Sequence, residues 1–534
     1  MRARNPFLEV SRMGLRRLLG LACRNPLSRH FGSFARDFWH YRAVTDFPSA
    51  TYQQGVLPLA LAYANRLFGK EYYRNDRIRK LAVGGVRRWV EIQHSDGSFD
   101  EWYPQEHSHV ATAFTSYAVS EAVRILGISE EAVIRALERA GAWLGRKIDR
   151  DVANHTAGAV AALWNIAELT GSETVRKAYN RNVEAMGDLQ SEEGWFPENG
   201  SFDIGYLSVS LHYLAKAYDR SGDERIRRMV ERGAEFLDFF VAPDGAVPSE
   251  IGNRNTQYLM PAGILLAARY SEAARRLRRR FLEGLEAGRV VGPTEADDRY
   301  FTFFFLPNFM QAAVLYSENP PVGVEEEEKT GGGLYGVRDF PRARALVSRV
   351  QSRTLFLNYG KGGVFRLYRG PKLVGRDAGY FARLEDGRLL TTALLAESEE
   401  VRKITATEFL IETPFKFVDD TVPAERFLVP FRFFSATAGR VPGVMPRFNE
   451  WVKERYIRAR KPGPLRLKRC ITLLDSGGIR VEDEVTVESG VKAELIRATS
   501  TSAMHVPSSR YAATEDFLFE EEPVESGKSV RVIE

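Results

Sequence analysis

The stretch TAGAVAALWNIAELT-GS-ETVRKAYNRNVEAMG (residues 156–187) decides the fold. Its first fifteen residues are apolar or small nearly all round, as in a helix walled in on both sides. Its last fifteen set Arg, Lys and Glu on one face, the pattern of a helix with one side in water. Between them Gly171 is placed to end the first helix, and Ser172 to cap the second with Glu173 behind it.

The same hairpin recurs on either side. HVATAFTSYAVSEAVRIL (109–126) is followed by GIS and EEAVIRALERAGAWL (130–144). YLSVSLHYLAKAYDR (206–220) is followed by SGD and ERIRRMVERGAEFLDFF (224–240), so that Ser129 and Asp223 stand where Ser172 does. Hairpins repeating about every 50 residues, each with an inner and an outer helix, predict an incomplete (α/α) toroid over residues 46–317. A curved open solenoid of helix pairs is the other arrangement that fits.

The connections entering the inner helices are long and rich in Gly, aromatic and polar residues. They are QHSDGSFDEWYPQEHSH (93–109), RDVANH (150–155), QSEEGWFPENGSFDIGY (190–206) and APDGAVPSEIGNRNTQY (242–258). Alternate connections of a toroid fall on opposite ends, so these four are expected on one face, where a rigid scaffold can present function. They also end at helix N-termini, whose free N–H groups favour anions.

Beyond residue 334 the period changes to that of strands. RALVSRV (344–350), RTLFLNY (353–359), GGVFRLYRG (362–370) and GGIRVEDEVTV (477–487) are separated by turn signals such as YGKGG and LEDGR. They predict an antiparallel β-sandwich over 334–534. The segment ENPPVGVEEEEKTGGG (318–333) reads as the linker. Residues 425–465, with many aromatics and a helix-like NEWVKERYIRAR, fit neither pattern.

A chain of 534 residues is too long for one core, and 44% hydrophobic with 27% charged residues describes a globular protein. The net charge of +5 suits an anionic partner: an acidic polysaccharide, a nucleic acid or a membrane surface. The basic N-terminal segment (1–45) has an apolar run, Leu18 to Cys23, too short for a signal sequence, so the expected address is the cytoplasm. No run is long enough to span a membrane. Residues 11–24 can form a basic amphipathic helix that either touches a membrane peripherally or packs on the toroid. Cys23 and Cys470 lie too far apart in sequence to suggest a disulfide or a metal site.

The strongest chemical constellation is Asn154-His155 at the mouth of one inner helix and Tyr206 at the mouth of the next, with Glu198, Asp203, Glu250 and Arg254 around them. The segment DEWYPQEHSH adds a second wall with Asp100, Glu101, Tyr103, Glu106, His107 and His109. Each residue has a plainer use. His155 can be a cap, Tyr206 a core aromatic, Arg254 a partner of Glu250 or Asp203, and the second wall a polar loop held by its own ion pairs. His107 and His109 are too closely spaced to make a convincing metal site. Only His505 lies beyond residue 212, which excludes a multi-histidine site in the second domain. Without a P-loop, dinucleotide fingerprint or nucleophile elbow, no cofactor is expected.

This order of domains, with an Asn or His in this helix and a Tyr 51 residues after His155 at the end of a Gly-rich aromatic loop, resembles the heparinase II/III and alginate lyase superfamily of polysaccharide lyases. The resemblance implies an acidic, uronate-containing polymer or oligosaccharide as substrate, and no nucleic acid. It further implies β-elimination. Asn154, His155 or Arg254 would stabilise the charge that develops on the carboxylate, with Arg254 able to clamp it. His155 or ionised Tyr206 would take the C5 proton, and Tyr206 would protonate the departing O4. Glu250, Asp203, Glu198, Tyr103, Glu101 and His107 are the expected substrate contacts. Tyr359 or Tyr380 can be imagined reaching over from the second domain. The same toroid can also support a glycoside hydrolase with paired carboxylates, or a non-catalytic glycan-binding protein of a polysaccharide pathway.

Overall fold

The computed structural model describes residues 4–41, 45–320, 336–395, 400–418, 425–441, 443–452, 461–499, 521–523 and 526–534. Among the described residues six inner helices run Val56–Ala64, His109–Leu126, Ala153–Thr170, Ile204–Ser221, Pro261–Ala267 and Leu306–Glu318. Each packs on the next, and the last returns to the first. Small residues allow this: Ala157, Gly158, Ala159, Ala161 and Ala162 bury one inner helix on all sides. At Gly158 even a Cβ would meet the Phe114 ring at 2.2 Å.

The outer helices are Asp76–Glu91, Glu131–Leu144, Glu173–Leu189, Glu224–Phe239 and Glu272–Glu286. Gly127, Gly171 and Gly222 end the inner helices at φ of 62°, 69° and 65°, as the turn reading requires. Of the three expected caps, Asp223 accepts from Arg225 N at 3.0 Å. Ser172 holds its cap position without a side-chain bond. The helix after Ser129 starts one residue later, and Glu130 occupies the cap position there.

The N-terminal helix Leu8–Leu21 takes the outer place beside Leu306–Glu318. Leu15 and Leu18 are fully buried, Asn5 Nδ2 donates to Ala313 O at 2.8 Å, and Arg17 Nε to Asp298 at 2.8 Å. Packing on the toroid therefore covers the apolar face that a membrane contact through residues 11–24 would need.

The sandwich has two antiparallel sheets. The first is a meander of β1 (Gly336–Phe340), β2 (Ala345–Val350), β3 (Arg353–Asn358), β4 (Val364–Arg369) and β5 (Lys372–Asp377). The second contains β6 (Tyr380–Leu384), β7 (Leu389–Thr391), β8 (Val401–Lys403), β9 (Glu408–Val418), β10 (Pro462–Leu473), β11 (Ile479–Val487), β12 (Ala493–Ala498), β13 (Glu521–Pro523) and β14 (Gly527–Ile533). Its order is β13-β12-β6-β7-β9-β10-β11-β14, with β8 on β9. The expected linker lies, from residue 321 on, outside the described residues.

The first sheet is covered on both faces, which is why β2, β3 and β4 are buried along nearly their whole length. Leu346, Leu355, Leu357, Phe365 and Leu367 meet Phe409, Ile411 and Ile471 of the second sheet. Alternate residues face the toroid. Phe340 packs on Phe236, Phe239 and Phe240, with ring centroids 5.0 to 5.5 Å apart. Arg366 of β4 makes a two-pronged ion pair with Glu250, at 2.6 and 2.8 Å, both side chains almost wholly buried. β10 and β11 instead alternate, having one face toward solvent.

Candidate active site

The four long loops do gather on one face, and they hold one another there. Val152 bridges to Glu198, Asn199 N donates to Asp151 O at 2.7 Å, and Asn253 N to Phe202 O at 3.0 Å. Asn253 Nδ2 also reaches Glu198 O at 2.6 Å. The next loop round is tied in by Arg299, which donates to the Glu101 carbonyl at 3.2 Å and lies over the Trp102 ring at 3.5 Å.

The side chains at these helix mouths form an arc. His109 opens one inner helix, and its ring lies 6.3 Å from that of His155 at the start of the next. Burial pushes His109 down to about 4, so it is neutral at pH 7. His155 Nδ1 is 2.9 Å from Asp149 Oδ2. That contact leaves Nε2 as the nitrogen able to exchange a proton. Asn154, on the other side, donates Nδ2 to Glu198 Oε2 at 2.9 Å, and its buried Oδ1 has no hydrogen-bond partner among the described residues.

Glu198 is the centre of the arc. Burial pushes its carboxyl up to about 8; Asp203 and Asp149 add to the rise, and Arg254 opposes it. Arg254 Nε stands 3.9 Å from Glu198 Oε1, too far for a hydrogen bond, and is buried without another acceptor among the described residues. Tyr206 follows at the next helix mouth, its ring edge-on to Tyr258 at 6.1 Å. Its hydroxyl is held well above the usual tyrosine range by burial, with Tyr258, Tyr300 and Glu198 adding to the effect. A phenol so placed is protonated at neutral pH.

Other expected contacts are occupied elsewhere. Asp203 caps the helix of Tyr206, accepting from Tyr206 N at 3.1 Å, while its second oxygen accepts from Arg254 N at 2.8 Å. Thr256 donates to it as well. Asp203 therefore builds the loop that carries Arg254. Glu250 is locked to Arg366, away from the cleft. Lys361, just before β4, donates Nζ to the carbonyls of Glu250 (2.9 Å) and Gly252, and to Asn255. The sandwich thus fixes the loop from beneath.

The second wall is largely held by its own polar contacts. His107 Nδ1 lies 2.6 Å from Ser98 Oγ and 3.1 Å from Asp96, and His94 Nε2 is 2.8 Å from Asp100. Glu101 accepts from Ser108 Oγ at 3.0 Å and pairs with Arg299 at 3.2 Å. Glu106 accepts from the backbone of Glu101 and Trp102, and burial pushes its carboxyl up to about 8. Tyr103 is covered by Phe431, 5.0 Å away, and donates to Asn449.

Neither Tyr359 nor Tyr380 reaches the cleft. Tyr359 stacks on Phe409 at 4.8 Å and donates to Asp339 at 2.9 Å. Tyr380 is fully buried and donates to Asp483 at 2.7 Å, beside the Arg469–Asp377 pair. Both serve the sandwich interior.

Asp149, Tyr258 and Tyr300 were missed by sequence reasoning. Asp149 stands one residue before the loop RDVANH, and Tyr258 ends its loop just as Tyr206 ends the preceding one. Those positions were the available signals. Among the described residues no group of three or more His, Cys, Asp or Glu could hold a metal.

No family model matches the sequence, nor does any curated protein. Solved structures do match. Chondroitin AC lyase of Streptomyces coelicolor, in complex with chondroitin sulphate, aligns over 93% of this chain and 69% of its own, at 12% identity and a TM-score of 0.57. A point mutant of the same enzyme gives 11% identity, the same coverage and a TM-score of 0.54. A heparinase III aligns more loosely, at 9% identity over 94% of this chain and 73% of its own, with a TM-score of 0.42. In fold, this chain is similar to the chondroitin AC lyase: an α/α toroid followed by an antiparallel β-sandwich.

Proposed function

We propose that the chain is a polysaccharide lyase that cleaves an acidic, uronate-containing polymer or oligosaccharide by β-elimination. One observation carries the reading: Asn154, Glu198, Arg254 and Tyr206 converge at the helix mouths, with His155 oriented by Asp149 beside them. The fold shared with an enzyme solved on chondroitin sulphate supports the substrate class.

The chemistry follows from the protonation states. A uronate must have its carboxylate neutralised before the C5 proton becomes acidic enough to leave. A Glu198 carboxyl held neutral can donate a hydrogen bond to that carboxylate; Arg254 supplies the positive charge and the Asn154 amide a further donor. His155 takes the C5 proton through Nε2, while Asp149 holds the ring and stabilises the imidazolium. Tyr206 protonates O4 as the bond breaks. A hydrolase would need a second carboxylate free to act as base or nucleophile, whereas Asp203 is tied into its loop and Glu250 into its ion pair.

The test is a screen over chondroitin, heparan sulphate, hyaluronan and alginate, read by ultraviolet absorbance of the unsaturated product and by reducing ends. New reducing ends with absorbance support the lyase; reducing ends without it would mean hydrolysis.

A further inference from the structure

Residues 425–465, which fit no sequence pattern, contain two helices, Glu425–Ala436 and Val444–Val452, inserted between β9 and β10. They lie on the loop face of the toroid. Phe431 covers Tyr103, Asn449 accepts from the Tyr103 hydroxyl, and Arg432 pairs with Asp46 at 3.3 Å. Phe448 packs under Phe431 and Phe434, with ring centroids 5.6 and 5.2 Å apart, which joins the two helices.

Their outer surface is apolar. Phe427, Leu428, Val429, Phe433, Val441 and Trp451 are each from 55% to 75% exposed. Single exposed apolar residues are ordinary, but six within 25 residues of one small insertion are a concentration of the kind that marks an interaction site. Among the described side chains of residues 426–452, the exposed charges are Arg426, Arg440, Arg447 and Glu450. The exposed charges of the insertion are therefore mainly arginine.

We propose that residues 426–452 dock on an anionic lipid bilayer, with the apolar side chains entering the headgroup boundary and the arginines meeting the lipid phosphates. Aromatic and aliphatic residues beside cations are the composition of an interfacial helix. A glycan fits less well: Leu428, Val429 and Val441 offer neither a flat ring for a sugar to stack on nor a polar atom for its hydroxyls. A second copy of the chain also fits less well, because a two-fold contact would set the same arginines against one another. Docked this way, the insertion brings the cleft face to the membrane surface.

The test uses the full chain and vesicles of phosphatidylcholine with or without phosphatidylglycerol, read by co-sedimentation. Binding is expected on the anionic vesicles and should weaken in high salt. The double variant Val429→Ser/Phe433→Ser and the triple variant Arg426→Glu/Arg440→Glu/Arg447→Glu should each bind roughly ten-fold less or weaker still. Both sites are exposed, and an unchanged melting temperature checks that the variants fold. Absence of vesicle binding by the wild type overturns the proposal. So does a concentration-dependent dimer that the serine variant abolishes, or a loss of acidic-polymer binding in that variant with vesicle binding intact.

Discussion

Asp149 Oδ2 lies 2.9 Å from His155 Nδ1, joining the residue just before the loop RDVANH to the first turn of the inner helix, six residues later. The contact fixes the ring in the tautomer that presents Nε2 as base. Asp149→Asn would reverse the donor at that contact and favour the opposite tautomer. Turnover should fall by roughly 10²–10⁴-fold with little change in KM, the range of a general base put out of action. Steady-state kinetics on the polymer found in the screen would check it.

Tyr206→Phe keeps the ring packed on Tyr258 and removes only the hydroxyl. Unsaturated product should become undetectable while binding to the polymer persists. Calorimetric titration beside the absorbance assay separates the two. Since Tyr206 stays protonated well into the alkaline range, its ionisation does not set the upper pH limit.

That limit belongs to Glu198. If its neutral form meets the substrate carboxylate, kcat/KM should fall as pH rises through about 8. Glu198→Gln, permanently neutral, should lose that alkaline limb. A pH–rate profile of both proteins decides the point.

The same group shapes stability. Its carboxyl ionises near 4.5 when unfolded and near 8 when folded, so the unfolded chain loses the proton first as pH rises. The stability it contributes is full below 4.5 and is lost progressively up to about 8. Glu198→Gln should therefore be more stable than the wild type at pH 7, by roughly 3 kcal/mol. Its melting temperature should also vary less across that window.

Arg366→Met leaves the Glu250 carboxylate buried without its cation, at a cost of about 3–5 kcal/mol. Glu250→Gln/Arg366→Met should recover a large part of it. Denaturant melts of the wild type, Glu250→Gln, Arg366→Met and the double variant measure the coupling between the two residues.

The inner helices were legible because an all-round apolar pattern admits few other readings: His109–Leu126 has the bounds that its sequence implied. The sheet face that meets the toroid was not legible. Arg366 and Glu250 are 116 positions apart, and no local pattern joins a strand cation to a loop acid. Of the arc, Asn154, His155 and Tyr206 stood out by their places at helix mouths. The roles of Asp203 and Glu250 needed coordinates, since a cap, a buried ion pair and a substrate contact use the same carboxylate.

Asn5 reaches Ala313 across 308 positions, and the helix that follows it packs on Leu306–Glu318 at the far end of the toroid as well as on Arg66–Phe68 nearby. During synthesis this helix therefore waits for its partner. At about 5–20 residues per second the delay is on the order of tens of seconds. Through that interval the apolar face of the segment is only partly covered on the nascent chain. The ring is thus closed only once Leu306–Glu318 has been made, because that helix packs on both Val56–Ala64 and Leu8–Leu21.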